Sequence, residues 1–210
     1  MVGTYDGRCI FFSTDNLKYH TTIHVRSARG KNSQGRKVTG IEPMPGEDKI
    51  LITSNDSRIR LYDLRDLSLV CKYRGYTNLS SQIRAGFSPD GRYICAGSEN
   101  QCVFLWSTLH VPQVGIKYGC QRLMIHCVLH QAITARKDRN NYYEAIRAHS
   151  AVVTCSLFAP VPQLVLEAVE RGREAAGKEG ASKKEQQGEV VISGDFDGDI
   201  KIFINQRKDD

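Results

Sequence analysis

Four ten-residue segments share one pattern, and it limits the chain to folds built from short paired strands. They are TYDGRCIFFS from Thr4, SNDSRIRLYD from Ser54, SENQCVFLWS from Ser98 and DFDGDIKIFI from Asp195. Each has Asp or Asn at its third position: Asp6, Asp56, Asn100 and Asp197. Each has an aromatic ring six residues later: Phe12, Tyr62, Trp106 and Phe203. Asp and Asn bond their own backbone and suit tight turns. The alternation of apolar residues that follows predicts a strand. The shared element is a turn feeding a strand.

Further strands frame it. VTGIEP (38–43), IRAGFSP (83–89) and VTCSLFAP (153–160) read as strands ended by proline, and KILITS (49–54), RYICAGS (92–98) and EVVISG (189–194) follow them. TTIHVR (21–26), LVCKYR (69–74) and YYEAIR (142–147) precede each unit. Four short antiparallel strands per repeat predict a blade of a β-propeller. The Asp6–Asp56 and Asp56–Asn100 spacings, 50 and 44 residues, lie near the blade period. The next interval, from Asn100 to Asp197, is 97 residues, and the landmarks place its excess at two sites. The expectation is an all-β, partial propeller. It comprises the C-terminal half of a blade at 1–14, blades at 15–64 and 65–108, an insertion at 109–135, and a blade at 136–207 carrying a polar insertion at 163–188. Met1 falls inside a blade, so the chain reads as the C-terminal piece of a longer propeller. Such a piece is expected to expose an edge strand and an apolar blade face.

The insertion at 163–188 opens with helix formers and decays into a polar tract, which predicts a solvated loop with about two helical turns. The one at 109–135 holds Cys120, His126, Cys127 and His130, but C-x5-H-C-x2-H matches no established zinc pattern. It reads as a loosely ordered loop or an artefact of how the coding sequence was assembled, and no metal is assigned.

The same residues exclude several classes of function. No G-x-S-x-G elbow is present, and ARGKNS (28–33) lacks the first glycine and the Ser or Thr of a P-loop. DFDGDI suggests a calcium loop, but Ile200 stands where Gly is needed and Gln206 where Glu is needed. With no nucleophile–base pairing to point to, the chain is not expected to be an enzyme, to carry a cofactor or to bind a small-molecule substrate. The net charge of +6 is modest and does not call for nucleic acid. The first residues carry charges inside their apolar stretch, and no run approaches the ~20 apolar residues of a membrane span. Seven cysteines, an odd number without disulfide-framework spacing, agree with a cytoplasmic protein.

Two features are candidates for binding. HVRSARGKNSQGRK (24–37) joins two strands and holds Arg26, Arg29, Lys31, Arg36 and Lys37 with no acid among them. A loop of this kind suits an anionic membrane surface or an acidic partner. YDLR (62–65) places Arg65 just after a blade strand, where its planar fork can make a bidentate contact.

At this point the chain resembles the WD-repeat family. LYD (61–63) and LWS (105–107) stand at that family's Trp-Asp position, and AH (148–149) and GY (75–76) at its Gly-His position. Trp106 is the expected Trp and His149 the expected His, while Asn100 replaces Asp in one repeat and Phe203 replaces Trp in another. No repeat keeps the complete hydrogen-bonded set. The longer segments RKVTGIEPMPGEDKILITSNDSRIRLYDLRDLSLVCKYRGYTN and SSQIRAGFSPDGRYICAGSE are similar to the C-terminal part of the Rab-binding, rabphilin-like WD-repeat proteins. That resemblance implies a non-catalytic scaffold of the Rab GTPase effector type, in endosomal recycling and vesicle traffic, peripheral on endosomal membranes. It also implies that the GTPase is contacted through regions outside this chain. YDLR further resembles the Trp-Asp-x-Arg motif of substrate receptors of cullin-type ubiquitin ligases, which is the alternative reading.

Overall fold

A computed structural model describes residues 1–26, 35–109, 139–140, 142–175 and 189–205. Four sheets follow one another along the chain. The first contains β1 (Val2–Gly3), β2 (Arg8–Phe12) and β3 (Tyr19–His24). The second contains β4 (Val38–Pro43), β5 (Lys49–Ser54), β6 (Arg58–Asp63) and β7 (Leu69–Tyr73), all antiparallel. The third is formed by β8 (Ala85–Phe87), β9 (Tyr93–Gly97), β10 (Cys102–Ser107) and β12 (Glu144–Arg147). Between them in sequence, β11 (Arg139–Asn140) returns to the second sheet and pairs with β7 in parallel. The fourth contains β13 (Val153–Phe158), β14 (Val190–Asp195) and β15 (Ile200–Ile204). This is a partial β-propeller of WD type.

Alternation along each strand builds the core. Ile59 and Leu61 of β6 face the third sheet, in one cluster with Phe87, Ile94 and Phe104. Tyr62, with Ile50 and Ile52 of β5, faces the first sheet and meets Cys9 and Ile23. Cys95, Val103 and Leu105 of the third sheet meet Val153, Phe158 and Val191 of the fourth. A strand covered on both faces has no polar side, so β5 and β6 are buried almost throughout. The third sheet approaches the fourth so closely that a Cβ on Gly97 would lie 2.2 Å from the Val153 carbonyl oxygen.

The repeated turn has a backbone signature. The residue after each conserved-pattern Asp or Asn has positive φ: Gly7 at 80°, Ser57 at 56°, Gln101 at 69° and Gly198 at 89°. A left-handed residue there reverses the chain between β1 and β2, β5 and β6, β9 and β10, and β14 and β15. A second repeated turn escaped the sequence reading. Asn16 and Asp66 each accept the N–H two residues on, from Lys18 and Ser68, and Leu17 and Leu67 follow with φ of 53° and 58°.

Three expectations change. The leading strand of each sequence-drawn blade closes the preceding sheet instead: 19–24, grouped with 15–64, pairs along Arg8–Phe12, 69–73, grouped with 65–108, pairs with β6, and 144–147, grouped with 136–207, pairs with β10. The first sheet is therefore three strands and not half a blade, and the fourth has three described strands and not four. The insertion at 163–188 begins as helix α1 (Pro162–Ala175), about four turns long rather than two. Leu166 anchors it by packing against Ala159 and Val190. The 109–135 insertion, except Leu109, lies outside the described residues.

Candidate functional site

The turns that carry the repeat all lie at one end of the stacked sheets, together with the loops joining one sheet to the next. Backbone bonds fix this arrangement. Val25 N–H donates to Gly7 at 2.8 Å, Asn55 N–H to Lys37 at 2.9 Å, Glu99 N–H to Thr77 at 2.9 Å and Phe196 N–H to Val152 at 3.0 Å. We call this the turn end.

At the turn end of the first sheet an open cleft is lined by Asp6, Gly7, Arg8, His24, Arg26 and Gly35. Arg8 and His24 are cross-strand partners and share a face. Arg8 reaches Asp6 at 2.7 Å, and Asp6 also accepts the Thr4 hydroxyl at 2.5 Å. These bonds hold the Asp6 carboxyl below its ordinary range, the Thr4 hydroxyl contributing most. Arg26 and Arg36 are exposed and Lys37 is half-buried. Of the basic loop, Arg26 thus shares a cleft with Arg8, which the sequence reading had not included, and the Arg36 backbone lies against Gly7. Arg29 and Lys31 lie outside the described residues.

Arg65 lies at the opposite end, beyond β6. Its Nε and Nη2 donate to the two carboxylate oxygens of Asp63 at 3.0 and 2.6 Å. That fork holds the Asp63 carboxyl at about 2. The bidentate contact expected of Arg65 is therefore made within the chain.

Buried polar networks stiffen the turn end in the second, third and fourth sheets, each with its own version. In the second sheet Asp56 is buried and accepts the Ser54 hydroxyl at 2.7 Å. Arg60, fully buried, donates to Ser54 Oγ at 2.8 Å and grips both oxygens of Asp56. Sequence alternation presents Arg60 as an outward polar residue, but this strand has no outward face. The signal that it belongs inside is its place two residues before Tyr62 and four after Asp56, on the same side of the strand.

In the fourth sheet His149 Nε2 lies 2.7 Å from Ser193 Oγ, and its Nδ1 lies 3.1 Å from Asp195 Oδ2. Asp195 also accepts N–H bonds from Asp197 and Asp199, each at 3.0 Å. Burial pushes the Asp195 carboxyl up, but these N–H groups and His149 outweigh it and leave it lowered. The family position for this Asp is Asp197, which is instead exposed. Ser193, His149 and Asp195 have the order of a hydrolase triad, yet all three are buried, so no substrate reaches the hydroxyl. Phe203, half-buried, packs instead against the apolar cluster of Val153, Phe158 and Val191, and its ring has no N–H to give.

In the third sheet the network is different again. Trp106 donates its indole N–H to the Arg74 carbonyl at 2.9 Å and packs its ring against Tyr73, Tyr76 and Phe104. Asn100 is exposed in its turn. Beside it the carboxylate of Glu99 accepts three successive backbone N–H groups, from Leu79, Ser80 and Ser81, at 2.8–3.0 Å. Burial alone pushes Glu99 up, but these bonds win and hold it at about 2. Asn55 and Asn78, both buried, bond to each other at 2.9 Å and complete the anchorage of this loop. Phe12, the ring of the first copy, is exposed on the outer face of its sheet.

Among the described residues no His, Cys, Asp or Glu group converges in a way that holds a metal, and no helix is long and apolar enough to cross a membrane. What the turn end offers is a rigid, polar, loop-built surface.

Comparison with known proteins agrees with this architecture. The model of the WD domain, G-beta repeat, matches residues 68–107, which run from β7 through β10. The chain is 51% identical to WD repeat-containing protein 44 of Xenopus laevis over 99% of its length, covering 22% of that protein. It is 30% identical over 53% of its length to an uncharacterized WD repeat-containing protein of Schizosaccharomyces pombe, covering 20% of it. A third similarity, 33% over 35% of the chain, is to autophagic-related protein 16.2 of Caenorhabditis elegans. The chain thus spans about a fifth or less of the curated relatives it matches. The matched repeat, these relatives and the stacked antiparallel sheets together assign the chain to the WD-repeat family.

Proposed function

We propose that this chain is a non-catalytic protein-interaction platform, that it binds partners through its turn end, and that it acts as a Rab effector-type scaffold in endosomal recycling and vesicle traffic. The observation that carries the platform reading is the cleft at the turn end lined by Asp6, Arg8, His24 and Arg26, with Arg8 held by Asp6. A rigid frame displaying variable loops binds without a large ordering cost. The Rab assignment rests on the resemblance of the long blade segments, and the GTPase is contacted through regions outside this chain. An anionic membrane surface is a second ligand for the same basic cleft.

Proximity labelling in cells tests the platform reading. The chain is compared with a variant carrying Arg26→Glu, Arg36→Glu and Lys37→Glu. Enrichment of vesicle-traffic proteins by the wild type, lost in the variant, is expected. Identical sets from both would refute the turn end as the platform. Direct capture of the chain by a GTP-loaded Rab GTPase would overturn the assignment of that contact to outside regions. The ligase alternative loses ground because Asp63 already occupies the Arg65 fork. Adaptor capture abolished by Arg65→Ala would restore it.

A further inference from the structure

The loop at 77–82, between the second and third sheets, is tied on both sides. On the third-sheet side Glu99 N–H donates to the Thr77 carbonyl and Thr77 N–H to the Ser98 hydroxyl, each at 2.9 Å. Oε1 of Glu99 also accepts the N–H groups of Leu79, Ser80 and Ser81 at 2.8–3.0 Å. On the second-sheet side Asn55 donates to Asn78 Oδ1 at 2.9 Å and to the Ser81 carbonyl at 3.0 Å, and Asn78 N–H donates to Ser57 Oγ at 3.0 Å. Three successive N–H groups aimed at one oxygen form a backbone cradle for an anion. Glu99 fills it.

One hydroxyl of the loop shares that oxygen. Ser80 Oγ donates to Glu99 Oε1 at 3.2 Å, and Ser80 is exposed. The loop's other hydroxyl residues, Thr77 and Ser81, are half-buried, and Ser54 and Ser98 beneath it are buried. Ser80 therefore combines an accessible hydroxyl with a carboxylate in hydrogen-bond reach. A phosphate on that hydroxyl removes the donor and sets about two negative charges against the carboxylate. Its oxygens also accept backbone N–H bonds, so it competes for the cradle as well as repelling its occupant.

We propose that Ser80 is a phosphorylation site, and that phosphate there releases the loop from the third sheet while leaving it tied to the second. A protein kinase supplies the phosphoryl group from a nucleoside triphosphate. The bond from Ser80 Oγ to the γ-phosphorus forms, the bond from that phosphorus to the β-phosphate oxygen breaks, the nucleoside diphosphate leaves, and the hydroxyl proton goes to the kinase's base. The new charge excludes Glu99 from the cradle. The second-sheet ties are made by the uncharged side chains of Asn55, Asn78 and Ser57, so they persist. Leu79, 66% exposed, lies on the released side, so the turn-end surface changes while the Arg60 and His149 networks stay closed. An effect on partners rests on the turn end being the binding surface; the release of the loop does not.

Phosphopeptide mapping of the chain from phosphatase-inhibited cells is expected to find phosphate on Ser80. In the chain with phosphoserine installed at Ser80 during translation, amide hydrogen exchange at Leu79 and Glu99 is expected to quicken at least ~10-fold, while Ser57 and Asn78 change less than ~2-fold. The Glu99 carboxyl, held at about 2 in the unmodified chain, is expected to rise to its ordinary 4.5 or above. Ser80→Ala keeps the three N–H bonds and should exchange like wild type. In Glu99→Gln, where the carboxylate is already gone, phosphate should add less than ~2-fold. Phosphate found in cells at Thr77 or Ser81 but not Ser80, or at none of the three, overturns the proposal. So does unchanged exchange at Leu79 and Glu99, or equal quickening at Ser57 and Asn78, which would mean general unfolding. Proximity-labelled partners that stay the same although the loop is released would count against the turn end as the binding surface and leave the release standing.

Discussion

Removing the Asp56 carboxylate tests the central claim about the second sheet, that its turn is held by a buried ion pair. Arg60 is fully buried, and its guanidinium has three contacts, two to Asp56 and one to Ser54. Asp56→Ala leaves a charge that cannot lose its proton. Taking one partner from a buried pair costs about 3–5 kcal/mol, against a total stability of about 5–15 kcal/mol for a domain. Arg60→Met should cost about as much, because it leaves the Asp56 carboxylate buried without its partner. The double variant, with neither charge, is expected within about 2 kcal/mol of wild type, so the coupling is about 4 kcal/mol or more. Urea unfolding followed by the fluorescence of Trp106, the single tryptophan, measures all four proteins. A cost below about 1 kcal/mol for Asp56→Ala, or a double variant equal to the sum of the singles, would refute the reasoning.

Three further expectations use other parts of the structure. Gly97→Ala drives a methyl group into the Val153 carbonyl, so it should destabilise by about 1–3 kcal/mol by thermal melting, where an exposed glycine such as Gly198 has no such neighbour. Glu99 has its carboxyl lowered to about 2 against an ordinary 4.5. Its contribution is complete above that ordinary value and is lost as pH falls toward 2; Glu99→Gln should flatten that stretch of the stability–pH curve, and an unchanged curve would remove Glu99 from the account. Arg65→Ala, at an exposed ion pair, should leave the urea midpoint almost unchanged in the same assay.

The repeat was legible because turn chemistry is local. Asp6, Asp56, Asn100 and Asp197 mark four reversals, and the left-handed residue after each is where the backbone needs it. Strand ownership was not legible, because TTIHVR carries nothing that says which neighbour it pairs with. That choice is made by register against Arg8–Phe12. The burial of Arg60 was not legible for a related reason. Alternation of charge with Ile59 and Leu61 normally signals a wet face, but in a blade both faces are covered, and the acid that neutralises Arg60 lies a turn away. The basic loop was visible by composition, whereas Arg8 joins it only through a cross-strand pairing. That Asp195 lies against His149 was not legible either, because spacing cannot say which of two nearby carboxylates, Asp195 or Asp197, turns inward.

The three networks that stiffen the turn end differ in chemistry, and the difference bears on where binding resides. The fourth sheet uses His149 from the preceding loop, the second uses Arg60 from its own strand, and the third ties Trp106 to a backbone carbonyl. Each solution satisfies the same requirement, that a polar turn close over a covered sheet with its charges paired. Buried beneath the turns, those side chains lie out of a partner's reach. Recognition must fall to the groups the networks leave outside: Arg8 and Arg26 at one flank, Asp197 and Asp199 at the other. Because these sit on turns whose bases are fixed, a charge reversal there should alter association without altering the fold. Loss of folding in such a variant would mean that the turn is not independent of its surface charges, and the division between frame and binding surface would fail.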